Sequence, residues 1–224
     1  MRVKAVVFDL DGTLVDSAPG LQVSLNRVLA REGRRPLALD AVKAMVGDGI
    51  RVLLERACAA SGRPLGEAAM TDAVARFRAW YAEDSLRHTA LYPGTREALE
   101  RLTGQGVALG LCTNKPCDST LPLLEGLCLA RYFFAVFGGD SVPGIRKPDP
   151  GHVHAVLEAL GASPGEAAMV GDSLNDVRAG QGAGLPVIAV TFGYAPVAAD
   201  LGADRLIDHF DELAGALESL SAAG

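Results

Sequence analysis

The chain has no stretch of about 18 uninterrupted apolar residues, so no membrane span is expected. Its opening, MRVKAVVFDLDGTLVDS, holds only a short apolar run that ends in carboxylates, and reads as neither signal peptide nor anchor. Basic residues are the minority: 21 Lys and Arg against 27 Asp and Glu leave a formal charge of −6. No basic patch stands ready to neutralise a phosphate backbone, so nucleic acid is not an expected partner. A small anionic substrate, which a few local cations can hold, remains compatible with that balance. Cysteine is sparse, and Cys58, Cys112, Cys117 and Cys128 form no C-x-x-C pair. Neither they nor His88, His152, His154 and His209 have zinc-site spacing. Reduced thiols in a cytoplasmic protein are expected, with Cys112 in the core and the four histidines outside the chemistry. Repeats and low-complexity segments are also missing. What is present is 49% hydrophobic residues over 224 positions. That supplies one good core, or a core with a small accessory domain, and excludes a disordered chain.

The apolar residues fall into short runs rich in β-branched side chains: Val3 to Phe8, Val107 to Cys112, Phe133 to Phe137, Ala167 to Val170 and Pro186 to Val190. Continuous runs of this kind suit strands buried on both faces of a parallel sheet. Between them lie segments of helical period. Ala98, Leu99 and Leu102 mark one, with Pro93 near its start; Val153, Val156, Leu157 and Leu160 mark another. A strand-like RLI and an amphipathic helix close the chain. Alternating strands and helices predict an α/β fold with a doubly wound, Rossmann-like parallel sheet. Residues 18–89 break the alternation. Leu21, Leu25, Val28 and Leu29, then Ile50, Leu53, Leu54 and Ala57, then Val74, Phe77, Trp80 and Tyr81 all follow helical spacing. A small helical cap domain at 18–89 is therefore expected, inserted after the first strand of a core domain made of 1–17 and 90–224. The Phe77, Trp80, Tyr81 stripe is read as cap packing.

Asp9 and Asp11 stand two apart at the end of the first strand run, so in extended chain they project the same way. Two carboxylates about 4 Å apart repel by roughly 4 kcal/mol at an effective dielectric near 20. Such a pair calls for a cation or a shared proton. Taken alone, D-x-D-G-T also fits a helix N-cap by Asp11 or Thr13. The other strand ends weigh against that reading. The second run leads into Thr113 and Asn114, and the fourth into VGDSLND with Asp172 and Asp176; Lys147 lies in a loop before a proline-started helix. In open α/β sheets, ligands sit at the carboxyl ends of the strands. Acidic pairs, a hydroxyl, an amide and a lysine gathered there suit a hard divalent cation with oxygen ligands, for which Mg²⁺ is the natural choice.

FDLDGTLVDS, LCTNK, RKPDP and VGDSLND, in this order, resemble the four motifs of the haloacid dehalogenase superfamily of phosphohydrolases, over nearly the whole chain. Within it, VGDGIRVLLERA at 46–57, LGLCTNKP, GGDSVPGIRKPDP and TFGYAP are similar to the phosphoglycolate phosphatase subfamily. The resemblance implies a Mg²⁺-dependent hydrolase of a small phosphorylated metabolite, monomeric or homodimeric. Other small phosphoesters, pyrophosphate, or the isomerisation of a sugar phosphate by a β-phosphoglucomutase-like enzyme remain open alternatives. It also implies roles. Asp9 is the nucleophile, Asp11 the general acid and base, and Lys147 the neutralising cation. Thr113 and Asn114 hold phosphoryl oxygens. Asp9, the Asp11 backbone carbonyl and Asp172 hold the metal, with Asp176 and Ser173 behind them.

The insert is then expected to be a lid. Gly47 and Gly49 permit a tight turn close to the substrate, and Arg56, with Arg51 as a second candidate, is placed to pair with a substrate carboxylate. Lys43, the insert's only lysine, is read as surface charge. A Schiff-base lysine there would suggest a phosphonoacetaldehyde hydrolase, which does not normally keep the second aspartate that Asp11 supplies. Asp16 and Ser17 are expected to be the hinge and cap of the first insert helix, and Asp140 and Asp149 to serve in loops or caps.

Overall fold

The computed structural model describes residues 3–222. The five apolar runs become the strands β1 (Ala5–Phe8), β4 (Ala108–Cys112), β5 (Ala135–Phe137), β6 (Ala167–Gly171) and β7 (Val187–Val190), and the terminal RLI becomes β8 (Arg205–Ile207). They form one parallel sheet in the order β5-β4-β1-β6-β7-β8. Side chains alternate across β1: Val6 and Phe8 enter one core layer, Ala5 and Val7 the other. The first layer takes Leu99 and Leu102 of α5 (Thr95–Gly104), Leu123 and Leu124 of α6 (Cys117–Gly126) and Leu213 and Leu217 of α9 (Leu213–Ala222). The second takes Val153, Val156 and Leu157 of α7 (Pro150–Leu160) and Val177 and Ala179 of α8 (Leu174–Gly182). With both faces covered, the strands have no need of a polar side, which is why they read as unbroken apolar runs. The winding reverses at β1, which has β4 on one flank and β6 on the other. This is the position where a doubly wound sheet opens a crevice at its carboxyl edge.

Between β1 and the rest of the sheet the chain builds α1 (Ala18–Arg31), α2 (Leu39–Lys43), α3 (Ile50–Ser61) and α4 (Glu67–Asp84). These helices enclose a core of their own, with Leu25, Val28, Leu29, Leu54, Ala57 and Phe77 fully buried. Burying side chains of Val, Leu or Phe size contributes about 1.5–3 kcal/mol each, enough to hold helices too short to persist alone. Phe77 and Tyr81 stack with ring centroids 5.8 Å apart.

Two features differ from the reading of the sequence. The segments entering and leaving the insert pair as a small antiparallel ribbon, β2 (Val15–Asp16) with β3 (Ala90–Leu91). Two-residue strands are too short to leave a periodic signal. Helix α5 starts at Thr95, after Pro93 rather than on it. All four cysteines are free, and burial pushes the Cys112 thiol up to about 12, leaving an inert core residue. No helix among the described residues is long and apolar enough to cross a membrane.

Candidate active site

Asp9 follows the last residue of β1, and its N–H donates to the Val170 carbonyl at 2.9 Å, so the backbone itself fixes its position. Thr113 follows β4 and donates its N–H to Phe137 at 3.0 Å, while Asp172 follows β6. Three neighbouring strands thus deliver three polar side chains to one edge. Asp9, Asp172 and Asp176 are buried and place carboxylate oxygens within 4.8 Å of one another. The Lys147 ammonium donates to Asp9 Oδ1 and to Asp176 Oδ1, each at 2.6 Å.

Asp176 has both oxygens engaged. Its Oδ2 accepts from the N–H groups of Asp172 and Ser173 at 3.1 and 3.0 Å and from the Ser173 hydroxyl at 2.6 Å. Ser173 and Asp176 form a reciprocal capping box that starts α8, so one motif both begins the helix and orients Lys147. Asp172 accepts from the Tyr194 N–H at 2.7 Å and from the Thr13 hydroxyl at 3.3 Å. Gly12, at φ +89°, passes so close that a Cβ there would lie 2.3 Å from an Asp172 oxygen.

Three carboxylates share this space with one ammonium. Burial pushes the Asp9 carboxyl up to about 7; Lys147 pulls it down, while Asp176 and Asp11 push it up. Asp172 is also held well above the ordinary carboxylate range, by burial first and then by Asp176 and Asp9. Burial alone would lower the Lys147 ammonium, but Asp176 and Asp9 outweigh it and keep the group charged above its usual range. A buried surplus of negative charge presented only by oxygens fits a hard divalent cation.

The Asp11 carboxylate turns away from this cluster. It accepts from the Ser17 hydroxyl at 2.5 Å and from the Lys115 ammonium at 3.1 and 3.0 Å. Lys115 also donates to the Tyr81 hydroxyl at 2.9 Å, linking strand-end chemistry to the insert. Burial lowers the Lys115 ammonium, and Asp11 and Tyr81 more than restore it. Above these groups lies a cavity of about 290 Å³, the bulk volume of roughly ten waters at ~30 Å³ each. Asp9, Asp11, Thr113, Lys115, Lys147 and Asp172 line one wall. Leu21, Lys43, Val46, Ile50, Leu53 and Phe77 line the other.

The remaining candidates divide. Thr113 and Gly47 line the cavity, and Gly47 and Gly49, at φ +121° and +87°, make the turn that brings the insert down to the core. Asn114 also lines it, but its amide group donates to the Gly47 and Lys147 carbonyls, both at 2.8 Å. With both amide protons committed, the side chain has no donor left for a phosphoryl oxygen; it fastens the Gly47 turn and the Lys147 loop instead. Arg56 does not reach the cavity wall. It pairs with Asp48 at 2.5 Å and donates to the Met45 carbonyl at 3.0 Å, bracing the turn from outside. Arg51 is held outward by Glu55 and Glu67. Conversely, Lys43 is no simple surface charge, because it lines the cavity. The stripe read as packing also contributes Tyr81 to the site.

Ser17 is the first residue before α1, yet its hydroxyl serves Asp11 rather than the helix. The Tyr194 hydroxyl takes that place. It accepts from the N–H groups of Ser17 and Ala18 at 2.8 and 3.0 Å and donates to Asp16 Oδ1 at 3.0 Å. Burial, then Asp11, hold the Tyr194 phenol above its usual range, so it stays protonated. Asp140 accepts from the Cys117 N–H at the start of α6, and Asp149 caps α7.

The model of the haloacid dehalogenase-like hydrolases matches residues 6–190. The chain belongs to that family. Curated relatives of this haloacid dehalogenase-like hydrolase include the phosphoglycolate phosphatase of Rhodospirillum rubrum, 47% identical over 94% of this chain and 89% of the relative. That of Caulobacter vibrioides is 43% identical over 92% and 86%. Among solved structures, one described as a predicted phosphoglycolate phosphatase from Haemophilus somnus superposes with a TM-score of 0.90 at 33% identity, covering 96% of this chain and 98% of that one. The hydrolase is thus phosphoglycolate phosphatase-like in sequence and fold. Of its cavity residues, Lys115, Tyr81 and Tyr194 had not been read as site residues from the sequence. Lys115 could have been, since it directly follows Thr113 and Asn114 at a strand end. Tyr194 lies four residues past the end of β7, and nothing in its spacing signals its bonds to Ser17 and Ala18.

Proposed function

We propose that this protein is a Mg²⁺-dependent phosphomonoesterase that hydrolyses 2-phosphoglycolate to glycolate and phosphate through an aspartyl-phosphate on Asp9. The observation that carries the reading is the buried Asp9, Asp172 and Asp176 cluster with Lys147 bonded to Asp9 at 2.6 Å. The names of the relatives support the choice of substrate. Asp9, the Asp11 backbone carbonyl and Asp172 would hold the metal, with Asp176 and Ser173 setting their orientation. Bound there, Mg²⁺ would screen the repulsion between an anionic nucleophile and an anionic ester.

In this reading the Asp9 carboxylate attacks phosphorus, and the bond to the glycolate oxygen breaks. Asp11, entering the cycle as the carboxylic acid, gives its proton to the departing oxygen and becomes the carboxylate. Asp11 then removes a proton from water as it attacks the aspartyl-phosphate, which frees phosphate and restores Asp9. The Thr113 hydroxyl and the backbone N–H groups of the Leu10 turn hold phosphoryl oxygens, and Lys147 offsets charge as it spreads over them. Residues 18–89 act as a lid domain on a core of 1–17 and 90–224, with the β2–β3 ribbon as the hinge.

A phosphate-release screen of small phosphoesters with Mg²⁺ tests the proposal. The expected result is a clear preference for 2-phosphoglycolate, abolished by chelator and restored by Mg²⁺. Asp9→Asn is expected to lower kcat by at least about 10⁴-fold, the scale of losing a nucleophile. Full turnover in that variant, or in excess chelator, would overturn the mechanism; indifference among esters would overturn the substrate.

A further inference from the structure

We propose that Lys43 is the specificity-determining residue of the lid: its ammonium receives the second anionic group of the substrate, a carboxylate a short distance from the phosphate. The inference rests on the phosphatase reading above and goes beyond it by assigning the far end of the substrate.

Three lysines line the cavity. Two have their charge answered by the core. Lys147 is bonded to Asp9 and Asp176, and Lys115 to both oxygens of Asp11 and to Tyr81. Lys43 differs from both. Its nearest carboxylate oxygen is Asp16 Oδ2 at 3.6 Å, beyond hydrogen-bond range, and its ammonium sits over the Tyr194 ring at 5.6 Å. Asp16 gets its hydrogen bonds elsewhere, from the Tyr194 hydroxyl and the Ala18 N–H. All the donors of Lys43 are therefore unused, and its ion pair is long enough to be exchanged at small cost.

The surroundings favour such an exchange. Ala44, Val46, Ile50 and Leu53 form the wall around it, and apolar walls strengthen a charge pair by excluding water. Arg51 and Arg56 are tied outward, so Lys43 is the only cationic side chain that the insert contributes to the cavity lining. At the opposite wall Thr113 and Lys147 receive the phosphate in that reading, beside the acidic cluster that would hold the metal. A cavity of about 290 Å³, room for a small molecule, is lined by both of these charge-binding groups. The matching class is the phosphomonoester of a small hydroxy-carboxylic acid, not of a neutral alcohol or a sugar.

The test compares kcat/KM for 2-phosphoglycolate with that for ethyl phosphate, in which a methyl group replaces the carboxylate. Wild type, Lys43→Met and Lys43→Arg are assayed with Mg²⁺. A charge-assisted hydrogen bond lost from the bound carboxylate should lower the selectivity ratio of Lys43→Met about 10- to 100-fold, chiefly through KM. Lys43→Arg should keep most of it. A preference retained in Lys43→Met, or an equal fall on both esters, would overturn the role of Lys43 alone. A wild type with no preference for 2-phosphoglycolate would overturn the substrate reading, and the role of Lys43 with it.

Discussion

The two walls of the cavity are built on opposite plans. On the core wall every charged side chain is held by others: Lys147 by two carboxylates, Asp176 by four donors, Asp172 by Tyr194 and Thr13. On the insert wall, aliphatic and aromatic side chains surround one lysine with no hydrogen bond. Over-determined groups suit chemistry, because positions fixed before the reaction need no reorganisation during it. A loosely paired cation on an apolar wall suits selection, because it can change partner when a substrate arrives. On the proposed function, the difference would put rate in the core and choice in the insert. Substitutions on the core wall should lower turnover of every ester alike, while Lys43 changes should alter which ester is preferred.

Lys115 offers the strongest way to break this division, since it belongs to the core but touches Tyr81 of the insert. Lys115→Met leaves the Asp11 carboxylate with the Ser17 hydroxyl as its remaining side-chain partner, no longer gripped at both oxygens. If Asp11 works as acid and base, kcat should fall about 10²-fold or more, with the 2-phosphoglycolate to ethyl phosphate ratio unchanged. Steady-state kinetics on both esters checks it. A change in ratio comparable to that of Lys43→Met would mean that the two walls are not functionally separate.

A smaller effect is expected where the walls are joined. The Tyr194 hydroxyl closes the N-terminus of α1, a task usually done by the residue at the cap position itself. Tyr194→Phe removes two acceptances and one donation but leaves the N–H that holds Asp172. Losing a cap costs about 1 kcal/mol, and for a chain of this size Tm should drop by about 2–4 °C. Thermal unfolding reads this directly. An unchanged Tm would show that the start of α1 does not depend on the hydroxyl.

How far these walls were legible in the sequence follows the same division. The strands of the sheet were readable because runs buried on both faces leave continuous apolar signatures, and Asp9 and Asp172 because they stand one and two residues past the ends of such runs. Three strand ends at a winding reversal can converge in only one place, so Lys147 could be added from its loop. The insert helices were equally plain from their period, but the directions of their polar side chains were not. Arg56 and Asn114 each found partners nearer than a substrate: Asp48 and the Met45 carbonyl for one, the carbonyls of Gly47 and Lys147 for the other. Such competition depends on where backbone carbonyls point, which residue spacing does not encode. Tyr81 and Lys115 meet across 34 residues, and Tyr194 and Ser17 across 177. Contacts between residues so far apart in sequence exist only once the whole chain has folded, and Lys43 acquires its place on the cavity in the same way.

The core wall owes its fixity partly to a group behind it, which supplies the most specific prediction. His152 stands in the first turn of α7, fully buried, with Nε2 3.1 Å from the Gly138 carbonyl. A carbonyl only accepts, so Nε2 carries the proton and Nδ1 must be bare. Nδ1 has no hydrogen-bond partner, and a second proton there would be a buried, unanswered donor beside the positive end of a helix. Burial, then the Lys147 ammonium, accordingly hold the imidazole down at about 4. The unfolded chain, with an ordinary histidine near 6.5, binds this proton more readily than the folded one. His152 therefore leaves stability intact above pH 6.5 and erodes it as pH falls from there towards 4. Between pH 7 and pH 5 the loss from this group should be about 1–2 kcal/mol. His152→Gln, which keeps a donor for Gly138 but cannot titrate, should flatten that part of the curve in urea unfolding at the two pH values. Since Gly138 packs against the Lys115 carbonyl and the Cys117 backbone, acid should loosen the core wall first. A pH dependence equally steep in His152→Gln would overturn the role of this imidazole; the carboxylate cluster, whose Asp9 and Asp172 are held above the ordinary range, contributes in the opposite direction.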